Sequence, residues 1–265
     1  MCHAEWVPKY SVHKILSLAF LVCLYAPYSG IAAPLLTASV PEGSQLSLKE
    51  FFALSYNNEH EQPDWVAWQI SPQSYGPWRR DNDFRRDPDI VDGSSYETQF
   101  RNSGFDRGHL APASEFSFGQ SAMSQTFLMS NISPQNPDFN RHGLWRKLEL
   151  FIKERIELDQ EYFIIAGPIL SSALPKLPDS VGGDSRVSIA EKFFKAIICL
   201  RCRRPRGIAF VFPNSGSAKD IFSDDFVFSI DELERKLGID LFYQLDDKLE
   251  NSIERQIDLS MWRLQ

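Results

Sequence analysis

The chain has 265 residues, 43% hydrophobic and 24% charged, which is enough for one sizeable core and leaves no room for a long disordered tail. Its formal net charge of −7 argues against a uniformly basic nucleic-acid binder. The balance is uneven, however. Residues 220–258 hold twelve acids against four bases, while basic residues gather elsewhere: Arg79, Arg80, Arg85, Arg86, Arg101 and Arg107, then Arg141, Arg146 and Lys147. A local basic surface on an acidic protein still binds phosphate, because charge is screened over roughly 8–10 Å at physiological salt.

The N-terminus reads as a secretory leader. Lys9, His13 and Lys14 precede the apolar run ILSLAFLVCLYA (15–26), and the small residues of SGIAAP (29–34) follow. Ala32 and Gly30 suit the last and third-last positions of a leader cut after Ala32. An uncleaved anchor is the alternative, but about a dozen apolar residues fall short of the roughly 20 that a spanning helix needs. No other segment is apolar enough to cross a bilayer. The mature chain is therefore expected to be secreted or periplasmic, without stable membrane association. Residues 33–45 read as a loose lead-in and 46–265 as a single domain.

DWVAWQIS (64–71), rich in aromatic and β-branched residues, predicts a strand. Residues 72–104, with several prolines and many charges, read mostly as loop. GLWRKLELFIKERIEL (143–158) predicts a helix, since Leu144, Leu148, Phe151, Ile152 and Ile156 form one apolar stripe. EYFIIAGPIL (161–170), FFKAIICL (193–200) and GIAFVFP (207–213) are short apolar runs that suggest buried strands, the last two a hairpin around RCRRPRG. SIDELERKLG (229–238) predicts a helix with capping-box spacing at Ser229 and Glu232 and a stop at Gly238. Strands and helices do not alternate regularly, so the expected class is α+β with a central antiparallel sheet flanked by helices. Past the leader only Cys199 and Cys202 remain. In an oxidising compartment they can pair. Two half-buried thiols at a strand end is the alternative, and a zinc site lacks two further ligands.

Two stretches carry candidate chemistry. FDRGHLAPASEF (105–116) places Asp106, Arg107, Gly108 and His109 side by side. A lone histidine is usually structural, but in an extended segment Arg107 and His109 share a face. A neighbouring guanidinium favours the neutral imidazole that a general base requires, and Arg107 suits a phosphate oxygen. MSNISPQNPDFNRHGLW (129–145) brings three amides, Asn131, Gln135 and Asn140, just ahead of the helix that carries Glu149. Amide oxygens suit hard cations such as Mg²⁺, and the plainer reading is a turn with a helix cap.

Taken in order, DRGH, LAP, SNISPQ, FN and W with LE on a helix resemble the DNA/RNA non-specific endonuclease family. The wording is closest to its endonuclease G branch. YFIIAGPIL, VSIAEKFFKAII, AFVFPN and SIDELERKLGIDLFYQL extend the likeness, so that it runs over roughly residues 48–255. The resemblance implies a ββα-metal active site that hydrolyses phosphodiester bonds of DNA and RNA to 5′-phosphate ends. In it His109 is the base and Arg107 a phosphate-binding arginine. Asn140 holds Mg²⁺ (or Mn²⁺), Glu149 holds metal waters, and Arg80, with Arg79 as alternative, contacts phosphate. Asp106, Asn131 and Gln135 support the site, and a homodimer is suggested. A rival of another class is a nucleic-acid-binding protein that keeps the fold without catalysis.

One departure from the family pattern stands out. The metal asparagine and the glutamate should be eight residues apart, yet Asn140 and Glu149 are nine apart. At about 100° per residue, nine helical steps place them on opposite faces. Either Asn140 precedes the regular helix, or a bulge absorbs the extra residue. Replacement of Asn140 by His142 as ligand ranks last, because imidazole suits Mg²⁺ less well than an amide oxygen.

Overall fold

The computed structural model describes residues 35–156, 161–178, 185–217 and 219–262; the expected leader lies outside them. Among the described residues, nine strands form two sheets. The large one runs β1 (Gln45–Leu48), β2 (Phe52–Asn57), β3 (Gln62–Ile70), β6 (Tyr162–Pro168), β7 (Lys192–Cys199), β8 (Arg206–Pro213) and β9 (Val227–Phe228) in spatial order, antiparallel throughout. The small one pairs β4 (Asp106–His109) with β5 (Ile132–Gln135), also antiparallel. Among the described residues four α-helices accompany them: α1 (Gln120–Gln125), α2 (Leu144–Ile156), α3 (Ile230–Leu237) and α4 (Asp247–Glu254). This is the α+β class that the sequence pattern predicts.

Strand residues alternate between two cores. Val66, Trp68, Ile164, Ile197 and Phe210 pack on one face against Leu110, Trp145, Leu148 and Ile152 of the β4–β5–α2 side. Trp65, Ala67, Ile165, Ile198 and Ala209 pack on the other face against Ile230, Leu233, Leu241 and Ile253, from α3, the segment after it and α4. Because both faces are covered, β3, β6, β7 and β8 are apolar on both sides. That is why they stand out in the sequence as unbroken apolar runs rather than as alternation.

Helix α3 begins and ends as its sequence predicts. Ser229 Oγ accepts from Glu232 N at 3.1 Å, Glu232 Oε2 accepts from Ser229 N at 2.9 Å, and Gly238 closes the helix at φ 71°. Cys199 and Cys202 are disulfide-bonded across the start of the β7–β8 turn, so the free-thiol alternative is set aside.

The lead-in expected to be loose is tied down from residue 35 onward. Leu36, Thr37 and Ala38 are buried, Ser39 N donates to Asp240 O at 2.7 Å, and Trp65 Nε1 donates to Ser39 O at 3.0 Å. Its apolar residues complete the second core, which a proline- and serine-bearing composition conceals.

Candidate active site

The charged quartet is strand β4. Its ladder sets Asp106 opposite Gln135 and His109 opposite Ile132. Side chains alternate along it, so Arg107 and His109 emerge on one face and both meet Phe84: the Arg107 guanidinium carbon lies 4.1 Å from that ring's centre and the imidazole centre 5.5 Å away. Gly108 is required by packing, since a Cβ there would fall 2.2 Å from the buried Gln135 side chain. Asn131 holds the segment after β4: it accepts from Ala111 N at 3.0 Å and donates to Ala111 O at 2.9 Å and to Thr126 O at 2.8 Å. Helix α2 is pinned to the strand by Trp145 Nε1, which donates to His109 O at 3.2 Å.

The extra residue before α2 is taken up in a π-helical turn, Asp138–His142. Asn140 therefore precedes the regular helix, and its position is not set by nine α-helical steps. Its Nδ2 donates to Asp106 Oδ2 at 3.0 Å, while Arg141 grips both Asp106 oxygens at 2.8 and 2.5 Å. Burial pushes the Asp106 carboxyl up, but the bonds from Arg141 and Asn140 outweigh it and hold it below its ordinary value. Gly143 ends the turn, and a Cβ there would meet Asp138 O at 2.4 Å. His142 is exposed and does not line the cleft.

A cleft of about 570 Å³ opens over this arrangement. Arg80, Asn82, Phe84, Arg107, Asp106 and Asn140 line it, together with Glu97, Arg101 and Arg141; Arg79 does not. Arg80 lies over Phe127 at 5.0 Å and donates to Asn82 Oδ1 at 2.6 Å. His109 sits beneath the cleft wall, 7% exposed, between Phe84 and Phe127, whose ring centres stand 5.5 and 4.8 Å away. Burial first, then Arg80 and Arg107, lowers its pKa to about 3, so the imidazole is neutral at neutral pH. Its buried Nε2 has no hydrogen-bond partner among the described residues.

Glu149 lies one α-helical turn beyond Trp145, with a 3.2 Å ion pair to Arg146. It is not a lining residue of the cleft, but it is within electrostatic reach of Arg80. Burial raises its pKa, opposed by Lys195, Arg146 and Arg80.

Lys195 and Glu115 escaped the sequence reading. Lys195 is fully buried on β7, its ammonium 4.3 Å from the Trp145 ring centre and 5.3 Å from that of Trp68. It acts electrostatically on both Glu149 and Glu115. Glu115 accepts from Trp68 Nε1 at 2.5 Å, and burial raises it to about 7. The signal was present: a lysine in the middle of FFKAIICL is a charge inside an otherwise buried strand, and such charges need partners.

The donor set fits a hard cation. With Asn140 Nδ2 committed to Asp106, its Oδ1 is the atom left to face one, and Glu149 keeps one oxygen outside its Arg146 contact. Few protein ligands and the rest water is the usual environment of Mg²⁺.

A model of the DNA/RNA non-specific endonuclease family matches residues 32–248. The chain belongs to this family. A nuclease of Nostoc sp. is 31% identical over 224 residues, covering 80% of this chain and 78% of that protein. Human mitochondrial endonuclease G is 29% identical over 212 residues, covering 76% of this chain and 70% of that one. The mouse mitochondrial nuclease EXOG is 31% identical over 206 residues; the match takes in 73% of this chain and 56% of that longer protein. A chain in the crystal structure of the EndoG/EndoGI complex superposes with a TM-score of 0.65 at 25% identity, covering 77% of this chain and 88% of that chain. Membership makes the protein a hydrolytic nuclease.

Proposed function

We propose that this endonuclease cleaves DNA and RNA with little sequence preference, using His109 as general base beside a divalent-cation site built on Asn140 and Glu149. The observation that carries this reading is the neutral, unpartnered His109 Nε2 below a cleft lined by Arg80, Arg107, Asp106 and Asn140. His109 takes a proton from the attacking water at Nε2. Arg80 and Arg107 neutralise charge that develops on the phosphoryl oxygens. Asp106, clamped by Arg141, orients the Asn140 amide, and Glu149 steadies water next to it. A divalent cation held there, Mg²⁺ or Mn²⁺, supplies Lewis-acid stabilisation of the phosphoryl group and the leaving oxygen. Departure of the 3′ oxygen leaves a 5′-phosphate. Recognition through phosphate and sugar leaves base edges unread, which fits weak sequence preference.

The test compares plasmid and RNA cleavage by the mature chain with Mg²⁺, with chelator, and by His109→Ala and Asn140→Ala. Chelation should abolish cleavage, and each variant should lose at least about 10²-fold in kcat. Undiminished cleavage by His109→Ala would overturn the assignment of the base, and undiminished cleavage in chelator the cation site.

The same reading takes residues 1–32 as an export leader and the mature protein as secreted or periplasmic. The Cys199–Cys202 bond supports it, since such bonds persist in oxidising compartments. Export is checked by N-terminal sequencing of material outside the cytoplasm, which should begin at Ala33. A homodimer belongs to this reading too, and sedimentation of the mature chain tests it.

A further inference from the structure

The acidic excess of residues 220–258 has no part in the cleft. Most of it, on α3, the segment after it and α4, gathers on the opposite face of the large sheet. Asp231 and Glu234, one turn apart on α3, meet Glu254 at the end of α4. One carboxylate oxygen from each lies within 4.8 Å of the others.

Glu254 is the decisive side chain. It is 1% exposed, and neither of its carboxylate oxygens has a hydrogen-bond partner among the described residues. The charges that act on it, from Glu234, Glu250, Asp231 and Asp240, are all negative. It also stands in the last turn of its helix, where the peptide dipole is negative. A buried carboxylate is normally compensated by a cation or by donors, and here neither is supplied among the described residues.

We propose that Asp231, Glu234 and Glu254 form a structural site for a calcium-like divalent cation, separate from the catalytic cation. Calcium takes oxygen ligands at about 2.3–2.6 Å, so ligands on opposite sides stand about 5 Å apart, which matches the span of this triad. Glu234 is already oriented, since Leu241 N donates to its Oε1 at 2.7 Å. Water fills the remaining positions, because three carboxylates fall short of the six to eight oxygens that calcium takes. Without the ion, burial and then the neighbouring carboxylates drive Glu254 to about 9 and Glu234 to about 7. The ion would tie α3 to α4 on the sheet face remote from the cleft and give the acidic excess a task.

Titration calorimetry with CaCl₂ tests this on metal-stripped full-length mature protein carrying Asn140→Ala, which disables the cleft site. One Ca²⁺ per chain is expected, with Kd near 10⁻⁴ M as in extracellular calcium modules, and a Tm that rises with Ca²⁺. Glu254→Gln in that background should weaken binding at least about tenfold and remove the Tm shift. Asp231→Asn, at a half-buried position, should do the same and serves if Glu254→Gln folds poorly. With Asn140 intact, Asp231→Asn should retain Mg²⁺-dependent cleavage. Two results would overturn the site. One is undiminished Ca²⁺ binding in both variants. The other is no Ca²⁺ response in the parent while Glu254→Gln raises Tm in ion-free buffer, which marks a carboxyl pair that shares a proton.

Discussion

The imidazole of His109 is held between Phe84 and Phe127 below two arginines, so its proton affinity is set chiefly by burial. The acid limb of kcat/KM should therefore fall well below the ordinary histidine pKa of about 6.5. Phe84→Ala admits water and should move that limb upward, as a pH–rate profile would record. Lys195 offers a second prediction at this scale. Replacing it with Met leaves Glu115 and Glu149 without their buried counter-charge and should cost about 3 kcal/mol in urea unfolding. Adding Glu115→Gln should restore part of that loss. That Arg107 and His109 share a face was legible in the sequence, because the two are neighbours on one extended stretch. Lys195 showed in the sequence only as a charge within an apolar run; its role was not legible, because the partners that give it meaning sit 46 and 80 positions earlier in the chain and meet it only through the fold.

At the level of single elements, the π turn Asp138–His142 decides where Asn140 stands. Gly143 permits the turn, since any side chain there runs into the Asp138 carbonyl and the Phe139 backbone. Gly143→Ala should destabilise the protein by about 1–3 kcal/mol and lower kcat by displacing the amide. Denaturant melts and single-turnover cleavage would measure the two effects separately. The spacing of nine residues revealed the irregularity, and both of its proposed resolutions turn out to describe the same turn. Spacing alone could not choose a π turn, because the choice rests on a backbone contact between Gly143 and Asp138. Strands β1, β2, β4 and β5 were also hidden: β4 and β5 are four residues each and carry polar or proline positions that read as turn.

For the molecule as a whole, opposed titrations set the pH of greatest stability. His109 is depressed to about 3, so the unfolded chain binds more protons between pH 3 and 6.5 and stability rises with pH across that window. Glu234 and Glu254 are raised to about 7 and about 9, so the folded chain binds more protons above pH 4.5 and stability falls as pH rises toward 9. Ion-free urea melts should peak at about pH 4–5, where these opposed slopes cancel, and Glu254→Gln should flatten the alkaline side. The large sheet was legible in its central strands, whose burial on both faces leaves unbroken apolar runs, while the packing of the lead-in onto the second core was not. That two-sided sheet also polarises the molecule. Arg80, Arg101, Arg107 and Arg141 crowd one side, and the carboxylates of α3 and α4 the other. Such a dipole turns the protein as it diffuses toward a polyanion, so that encounters are biased to begin cleft-first.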